Sequence, residues 1–225
     1  SPLELAHIQR GRGAAESHHL DAAGWRRIFT NRSLLALSAA YFTQGYSFYF
    51  FITWLPTYLE NARGFTSTTL GVVAGLPLLM SVLADLLGGI TTDRLTKRYG
   101  LRIGRCGVGG VSLLLASILL IAGTATEHAY LGVALISIAL AFSNFLLGAS
   151  WGTCVDIAGG HAGVVSACMN SAGQIGGFLS PIVTALFVEK YGSWSAPLYM
   201  CGLLYFLGAL CWWLVDPRRP ITFEP

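Results

Sequence analysis

Six long segments without a single Asp, Glu, Lys or Arg run through the chain, and they restrict its fold more than any other feature. They are Ser33–Leu59, Gly64–Ala84, Cys106–Thr126, Ala129–Val155, Ala162–Val188 and Tyr191–Val215. Each exceeds the roughly 20 residues that an α-helix needs to cross the hydrocarbon core of a bilayer. Their length and lack of alternation exclude membrane-spanning strands. The sequence predicts an all-α integral membrane protein with six transmembrane helices, the second continuing to about Thr92.

The composition agrees with this class. Charged residues make up 11% of the chain and hydrophobic residues 54%, whereas soluble domains carry roughly 25% charged residues. The five cysteines have neither the spacing of a metal site nor that of a disulfide framework, so we interpret them as small buried hydrophobic residues. They are Cys106, Cys154, Cys168, Cys201 and Cys211.

The distribution of positive charge predicts the orientation. With six crossings, twelve of the 14 lysines and arginines fall on one side, and only Arg63 and Lys190 fall on the other. Because positive residues concentrate in cytoplasmic loops, both termini and the Asp93–Arg105 loop are predicted to be cytoplasmic. The net charge of +3 therefore needs no nucleic-acid partner to explain it.

Three parts of the chain are distinguished by polarity. Residues 1–32 hold five arginines and three of the five histidines, and they lack the apolar core of a signal peptide. We interpret them as the end of a cytoplasmic loop within a longer protein, with a short amphipathic helix over Gly24–Phe29 at the membrane interface. Residues 33–217 form the predicted transmembrane domain, and residues 218–225 form a cytoplasmic tail.

A motif after the second span resembles a family signature. Residues 89–98 read GITTDRLTKR, which is similar to the GxxxDRxxRR signature between helices of the major facilitator superfamily. Such a motif suits a conformational latch: Gly89 allows close packing, Asp93 accepts hydrogen bonds from a neighbouring helix end, and the cations pair with carboxylates or lipid phosphates. Those cations are Arg94, Lys97 and Arg98.

Two further stretches resemble the anion:cation symporter family of that superfamily. Residues 54–66 read WLPTYLENARGFT, and residues 156–181 include DIAGG, Asn170, GQIGG and Pro181. The resemblance implies that the chain is the C-terminal half, helices 7–12, of a twelve-helix transporter in the bacterial inner membrane. It also implies that the substrates are organic anions such as sugar acids or other carboxylates. Transport would be coupled to protons through groups in the other half.

Candidate substrate-binding residues are neutral, because no Lys or Arg lies inside any span. The candidates are Tyr41, Gln44, Asn144, Ser150, Trp151, Asn170 and Gln174. The resemblance matches Gln44 and Asn170 to substrate-binding residues of the family, and Tyr41 shares the helical face of Gln44. Alternative roles are aromatic packing for Tyr41, interfacial anchoring for Trp151, and bridging between helices for Asn144 and Gln174.

Asp85 is an acid placed about 12 Å deeper than Asp93, at 1.5 Å per residue. An intramembrane acid is a functional candidate by default. We favour the interpretation that Asp85 stays protonated or reaches a polar pocket near the cytoplasmic mouth.

A different class of function is also compatible with the sequence. Small residues let membrane helices approach closely, so the chain could be a non-transporting scaffold that self-associates through Gly71 and Gly75 or through Gly173 and Gly177. No nucleophile elbow, phosphate loop or metal constellation is present in the sequence. We therefore expect neither enzymatic activity nor a cofactor.

Overall fold

The computed structural model describes residues 20–222, and the regular structure within that range is entirely helical. In chain order the helices are α1 Ala22–Thr30, α2 Arg32–Thr53, α3 Leu55–Arg63, α4 Ser67–Tyr99, α5 Val108–Ala125, α6 Ala129–Phe145, α7 Leu147–Ile157, α8 Ala162–Tyr191 and α9 Ala196–Trp213. A π-helical segment, Arg102–Gly107, leads directly into α5. Residues 1–19 and 223–225 lie outside the described residues, and with them parts of the predicted N-terminal segment and tail.

Within residues 20–222, five helical stretches are long and apolar enough to cross a membrane. They are Thr69–Tyr99, Arg102–Ala125, Ala129–Ile157, Ala162–Tyr191 and Ala196–Trp213. At 22 residues α2 is long enough, but Tyr41, Thr43, Gln44 and other polar residues make it less apolar than the other five. A sixth span at α2 therefore remains a prediction. The polar residues of α2 make this helix a candidate for a functional role.

The sequence predicts a loop at the residues of the family signature, but the structure shows a helix there. Helix α4 continues through Asp93 to Tyr99 and ends where Gly100 adopts a φ of +88°. Glycine takes up this left-handed backbone at little steric cost. Only two residues then separate α4 from the π-helical segment. The predicted Asp93–Arg105 loop is therefore mainly the end of one helix and the start of the next.

Two of the predicted spans are each interrupted. The first breaks after Thr53 and resumes as α3, in which Pro56 is the second residue. Proline has no N–H with which to continue the hydrogen bonding of α2, but it is well accommodated in the first turn of a new helix. The fourth span breaks at Leu146 between α6 and α7. This second break lies beside the candidate site.

The helices pack side by side in an order that differs from their order in the chain. Helix α2 lies between α8 and α9, α9 packs on α5, and α6 packs on both α5 and α4. Helix α7 contacts both α4 and α8. Large buried side chains fill the interior, among them Phe50, Phe51, Tyr58, Tyr205 and Trp212. The first and fifth predicted spans, α2 and α8, are thereby brought together along a long seam.

Arg63 caps the end of α5 opposite the predicted cytoplasmic face. Its guanidinium donates hydrogen bonds to the backbone oxygens of Gly123, Thr124 and Thr126, at 2.8, 3.0 and 2.5 Å. A cation at a helix C-terminus is favoured by the helix dipole and satisfies carbonyls that have no partner within the helix. Arg63, one of the two positive residues predicted for that side, thus holds α3 against α5.

Candidate substrate cleft

A small cleft opens where α2, α8 and the α6–α7 break meet. Its volume is about 170 Å³. It is lined by five residues of α2, two from the α6–α7 break and three of α8: Tyr41, Gln44, Gly45, Phe48, Tyr49, Asn144, Leu147, Asn170, Gly173 and Gln174. Five of the seven predicted substrate residues line this cleft, although they come from three of the predicted spans.

Glycines allow the two long walls of the cleft to approach each other. A Cβ at Gly45 of α2 would overlap the backbone carbonyl of Gly173 of α8, and a Cβ at Gly176 would overlap the carbonyl of Phe42. Gly177 lies against the ring of Tyr49. The glycine-rich face of α8 therefore packs against α2 of the same chain. The alternative in which Gly173 and Gly177 join two copies of the chain is wrong, because both residues are already buried against α2.

Gln44 and Asn170 are the two cleft amides that the protein leaves unused. Gln44 is only 5% exposed, and neither amide has a hydrogen-bond partner among the described residues. Neither amide is among the described side-chain groups that are fully buried without a partner. Because Gln44 of α2 and Asn170 of α8 both line the cleft, their amides are available to a polar molecule between the two helices.

The other two amides at the cleft, Asn144 and Gln174, each use one polar atom in a hydrogen bond within the protein. Asn144 Nδ2 donates to the carbonyl of Leu140 at 3.0 Å, within its own helix. Gln174 Oε1 accepts a hydrogen bond from the hydroxyl of Tyr49 at 3.0 Å, which links α8 to α2. These contacts agree with the alternative role of Gln174 as a bridge between helices.

Ser150 and Trp151 lie outside the cleft. Ser150 is fully buried, and its hydroxyl donates to the carbonyl of Leu146 at 3.2 Å. Trp151 is 43% exposed and meets the ring of Tyr41 edge-on, with 6.4 Å between the ring centroids. Among the described residues, Tyr41 is thus the cleft residue that Trp151 contacts through its ring.

Asp85 lies on an exposed side of α4 and has no hydrogen bond or ion pair with a described residue. It is close enough to Tyr41 for an electrostatic interaction. At 100° per residue, exposed Leu78 lies about 20° and exposed Val82 about 60° from Asp85 around α4. The carboxylate therefore lies among exposed apolar side chains, as well as within electrostatic range of Tyr41.

The predicted latch is organised by Arg105, a residue that the signature does not include. Its Nε donates to Asp156 Oδ2 of α7 at 2.9 Å, and one terminal nitrogen lies 3.3 Å from Asp93 Oδ1 of α4. The same nitrogen lies 3.5 Å from the hydroxyl of Thr92. The Arg105 side chain is 12% exposed and lies across Gly152, where a Cβ would overlap the guanidinium. Arg105 therefore ties the π-helical segment to α4 and α7.

The signature residues themselves divide into two groups. Gly89 makes close contact with α7, because a Cβ at Gly148 would lie 2.6 Å from the Cα of Gly89. Gly88, which precedes the signature, approaches the backbone of Phe145 still more closely. The three cations Arg94, Lys97 and Arg98 are exposed and form no ion pair with a described residue. Within the described part of the chain, the ionic contacts near the signature therefore join Asp93, Arg105 and Asp156, and they lie beside these glycine contacts.

The geometry shows a helical membrane-protein fold with a polar cleft and a charged network at one end, and comparison with known proteins gives the family. The family model described as Major Facilitator Superfamily matches residues 4–181. The chain belongs to the Major Facilitator Superfamily. Family membership and the apolar helices together indicate a multi-pass membrane protein.

Several relatives of this chain are named as transporters of organic anions. The chain is 34% identical to a probable sulfoacetate transporter of Cupriavidus necator over 95% of its own length and 50% of the relative. It is 31% identical to a probable galactarate/D-glucarate transporter of Bacillus subtilis, covering 92% of the chain and 46% of the relative. A probable L-galactonate transporter of Escherichia coli is 29% identical, covering 98% of the chain and 49% of the relative.

The chain spans about half the length of these relatives. All three relatives are named as transporters. Together with the family assignment, these names agree with the prediction that the chain is not an enzyme.

Proposed function

We propose that the chain is the C-terminal half, helices 7–12, of a twelve-helix secondary active transporter for organic anions such as sugar acids or other carboxylates. The observation that carries the proposal is a pair of amides, Gln44 and Asn170, that line one cleft between α2 and α8 and have no hydrogen-bond partner among the described residues. The names of the relatives, which refer to sulfoacetate, galactarate, D-glucarate and L-galactonate, support this class of substrate.

The chemistry of the cleft suits the hydroxylated part of a sugar acid. Each carboxamide offers donors and an acceptor, and Tyr41, Phe48 and Tyr49 supply aromatic surface. The lining contains no Lys or Arg. A carboxylate is held most strongly by charge-assisted hydrogen bonds, so its cationic partner must come from the half of the transporter that lies outside this chain.

The placement of two features, the cleft and the Arg105 network, supports a mechanism of alternating access. The cleft lies where α2 and α8 meet, and the Arg105 network joins α4 to α7 at the end of the bundle that the charge distribution predicts to be cytoplasmic. Rocking of one half against the other around a fixed site is the usual motion of transporters built from repeated halves. We propose that the network holds this half rigid while the other half moves. We also propose that both termini are cytoplasmic and that the membrane is the bacterial inner membrane.

The decisive experiment measures uptake by the full-length protein in proteoliposomes. We expect at least one of sulfoacetate, galactarate, D-glucarate and galactonate to accumulate, and accumulation to require an inwardly directed proton gradient. If none is taken up, and a thermal-shift screen of carboxylates finds no ligand, the proposed function is wrong. An Asp85→Asn variant tests the origin of coupling: because we place the coupling groups in the other half, it should carry as many protons per substrate as the native protein.

We predict that Arg105→Gln loosens the latch. The change leaves Asp93 and Asp156 facing each other without a cation, and hydrogen bonds to charged groups are worth about 1.5–3 kcal/mol. The unfolding midpoint of the full-length protein should fall, and transport should fall with it. Arg105→Lys should restore only part of the loss, because an ammonium lacks the fork that reaches two carboxylates.

A double-mutant cycle separates the network from a general effect of charge. Arg105→Gln and Asp156→Asn should couple by about 1 kcal/mol or more, whereas residues that do not interact are additive within about 0.5 kcal/mol. Arg26→Gln removes the same charge from an exposed site on α1 and should not couple to Asp156→Asn. Additivity of the Arg105 and Asp156 changes would contradict the proposed network.

A further inference from the structure

A second cleft, separate from the substrate cleft, lies at the end of the bundle where α2 begins and α9 ends. Its volume is about 350 Å³, and three arginines line it: Arg32 at the start of α2, Arg102 at the start of the π-helical segment, and Arg219 beyond α9. Arg102 and the residues after α9 are remote in the sequence from Arg32. The fold therefore gathers three guanidinium groups from three parts of the chain into one site.

The walls of this cleft are fixed to each other by hydrogen bonds. The backbone N–H of Asp216 donates to the hydroxyl of Ser33 at 3.0 Å, which ties the chain after α9 to α2. The thiol of Cys106 donates to the carbonyl of Val215 at 3.4 Å, which ties the same chain to the π-helical segment. The arginines are therefore attached to a preorganised backbone.

The charge of the cleft is positive and mostly uncompensated. Its lining contains three arginines and a single acid, Asp216. Asp216 already binds Arg218 at 3.1 Å and Arg219 at 3.3 Å, and hydrogen bonding from Arg218 holds the pKa of this carboxyl below its usual value. Arg32 and Arg102 form no ion pair with a described residue. Two of the three arginines that line the cleft thus have no counter-ion among the described residues.

The surroundings of the cleft are strongly apolar on one side. Trp213 is 74% exposed and Leu214 49% exposed at the cleft itself. Exposed Leu207 and Leu210 continue this surface along α9, and exposed Ile103 lies next to Arg102 in the chain. Tryptophan is typical of the membrane–water interface. A ligand that fits both parts carries an anionic head and apolar chains.

We infer that this cleft binds the phosphodiester headgroup of an anionic phospholipid, with Arg32 and Arg102 on the phosphate and the acyl chains along the exposed face of α9. Basic pockets on the cytoplasmic side of membrane helices are suited to such headgroups, and guanidinium groups match phosphate geometry. The apolar surface beside the arginines favours a membrane lipid over free phosphate. The inference does not depend on which substrate the transporter carries.

The test is lipid binding to the full-length protein in detergent, measured by native mass spectrometry. Phosphatidylglycerol should bind at least tenfold more tightly than phosphatidylcholine. Each Lys or Arg near an anionic lipid surface raises the affinity for that surface roughly fivefold. The double variant Arg32→Gln/Arg102→Gln should therefore bind phosphatidylglycerol about 25-fold more weakly, and Arg102→Gln alone about fivefold more weakly.

Arg26→Gln is the matched control, because it removes an exposed arginine from α1 without touching the cleft. It should leave lipid affinity within about twofold of the native value, given that exposed charges interact weakly. Equal affinity of the double variant and the native protein for phosphatidylglycerol would overturn the inference. Displacement of the lipid by inorganic phosphate, with the same dependence on Arg32 and Arg102, would assign the cleft to a soluble anion and overturn the lipid assignment.

Discussion

Replacing Gln44 or Asn170 with alanine is expected to abolish uptake of the organic anion by the full-length transporter. Each change removes a carboxamide that no described residue engages, so little folding energy is lost with it. A substrate would lose up to two hydrogen bonds in a site partly shielded from water, and unpaired polar groups in such a site cost about 1–3 kcal/mol each. Proteoliposome uptake should fall by tenfold or more while the yield and the unfolding midpoint stay near native values.

Matched variants of the engaged residues distinguish substrate contact from structure. Ser150→Ala removes a hydroxyl that serves only the carbonyl of Leu146, and it should leave substrate affinity near the native value. Gln174→Ala breaks the link to Tyr49 and should lower the unfolding midpoint more than Gln44→Ala does. Native uptake by both Gln44→Ala and Asn170→Ala would show that the substrate binds elsewhere.

These contrasts also show what the sequence could predict. Charge-free segments of sufficient length located the helices, and five are long and apolar enough to span a membrane. The choice of Gln44 and Asn170 came from a family resemblance, and the structure places both at one cleft. Ser150 and Trp151 have side chains suited to substrate binding, and they lie close in sequence to Asn144 and Leu147 of the cleft. Their rotation about α7 decides what they contact, and that rotation depends on packing beyond the local pattern.

The Arg105 network could not be predicted for a different reason. Its three charges lie on α4, the π-helical segment and α7, and only the neighbouring positions of these elements in the fold bring them together. The sequence grouped Asp93 with the signature cations that follow it, whereas the structure pairs Asp93 with an arginine twelve residues away. One feature of the sequence was consistent with this network: Gly152 lies one helical turn before Asp156. Because Gly152 has no side chain, the guanidinium of Arg105 can occupy the space next to it.

Enlarging Gly45 should damage the fold more than any other single change to the cleft. A valine there would drive its side chain into the backbone of Gly173, and no rotamer change can move a backbone carbonyl aside. Overpacking typically costs 1–3 kcal/mol even where side chains can adjust, so we expect a loss of about 3 kcal/mol or more. A loss of this size is a large fraction of typical protein stability, and the full-length protein should lose its monodisperse peak in size-exclusion chromatography.

Gly71→Ala is the natural comparison, because nothing lies within 4 Å of a Cβ at Gly71. The methyl group should be neutral or stabilise α4 by up to about 1 kcal/mol through its helix propensity. The two glycines therefore have opposite expected effects, and α2–α8 contact at Gly45 is the cause of the difference. If Gly45→Val unfolds at the native midpoint, α2 and α8 are not in close contact there. The shared cleft between Gln44 and Asn170 would then have no structural basis.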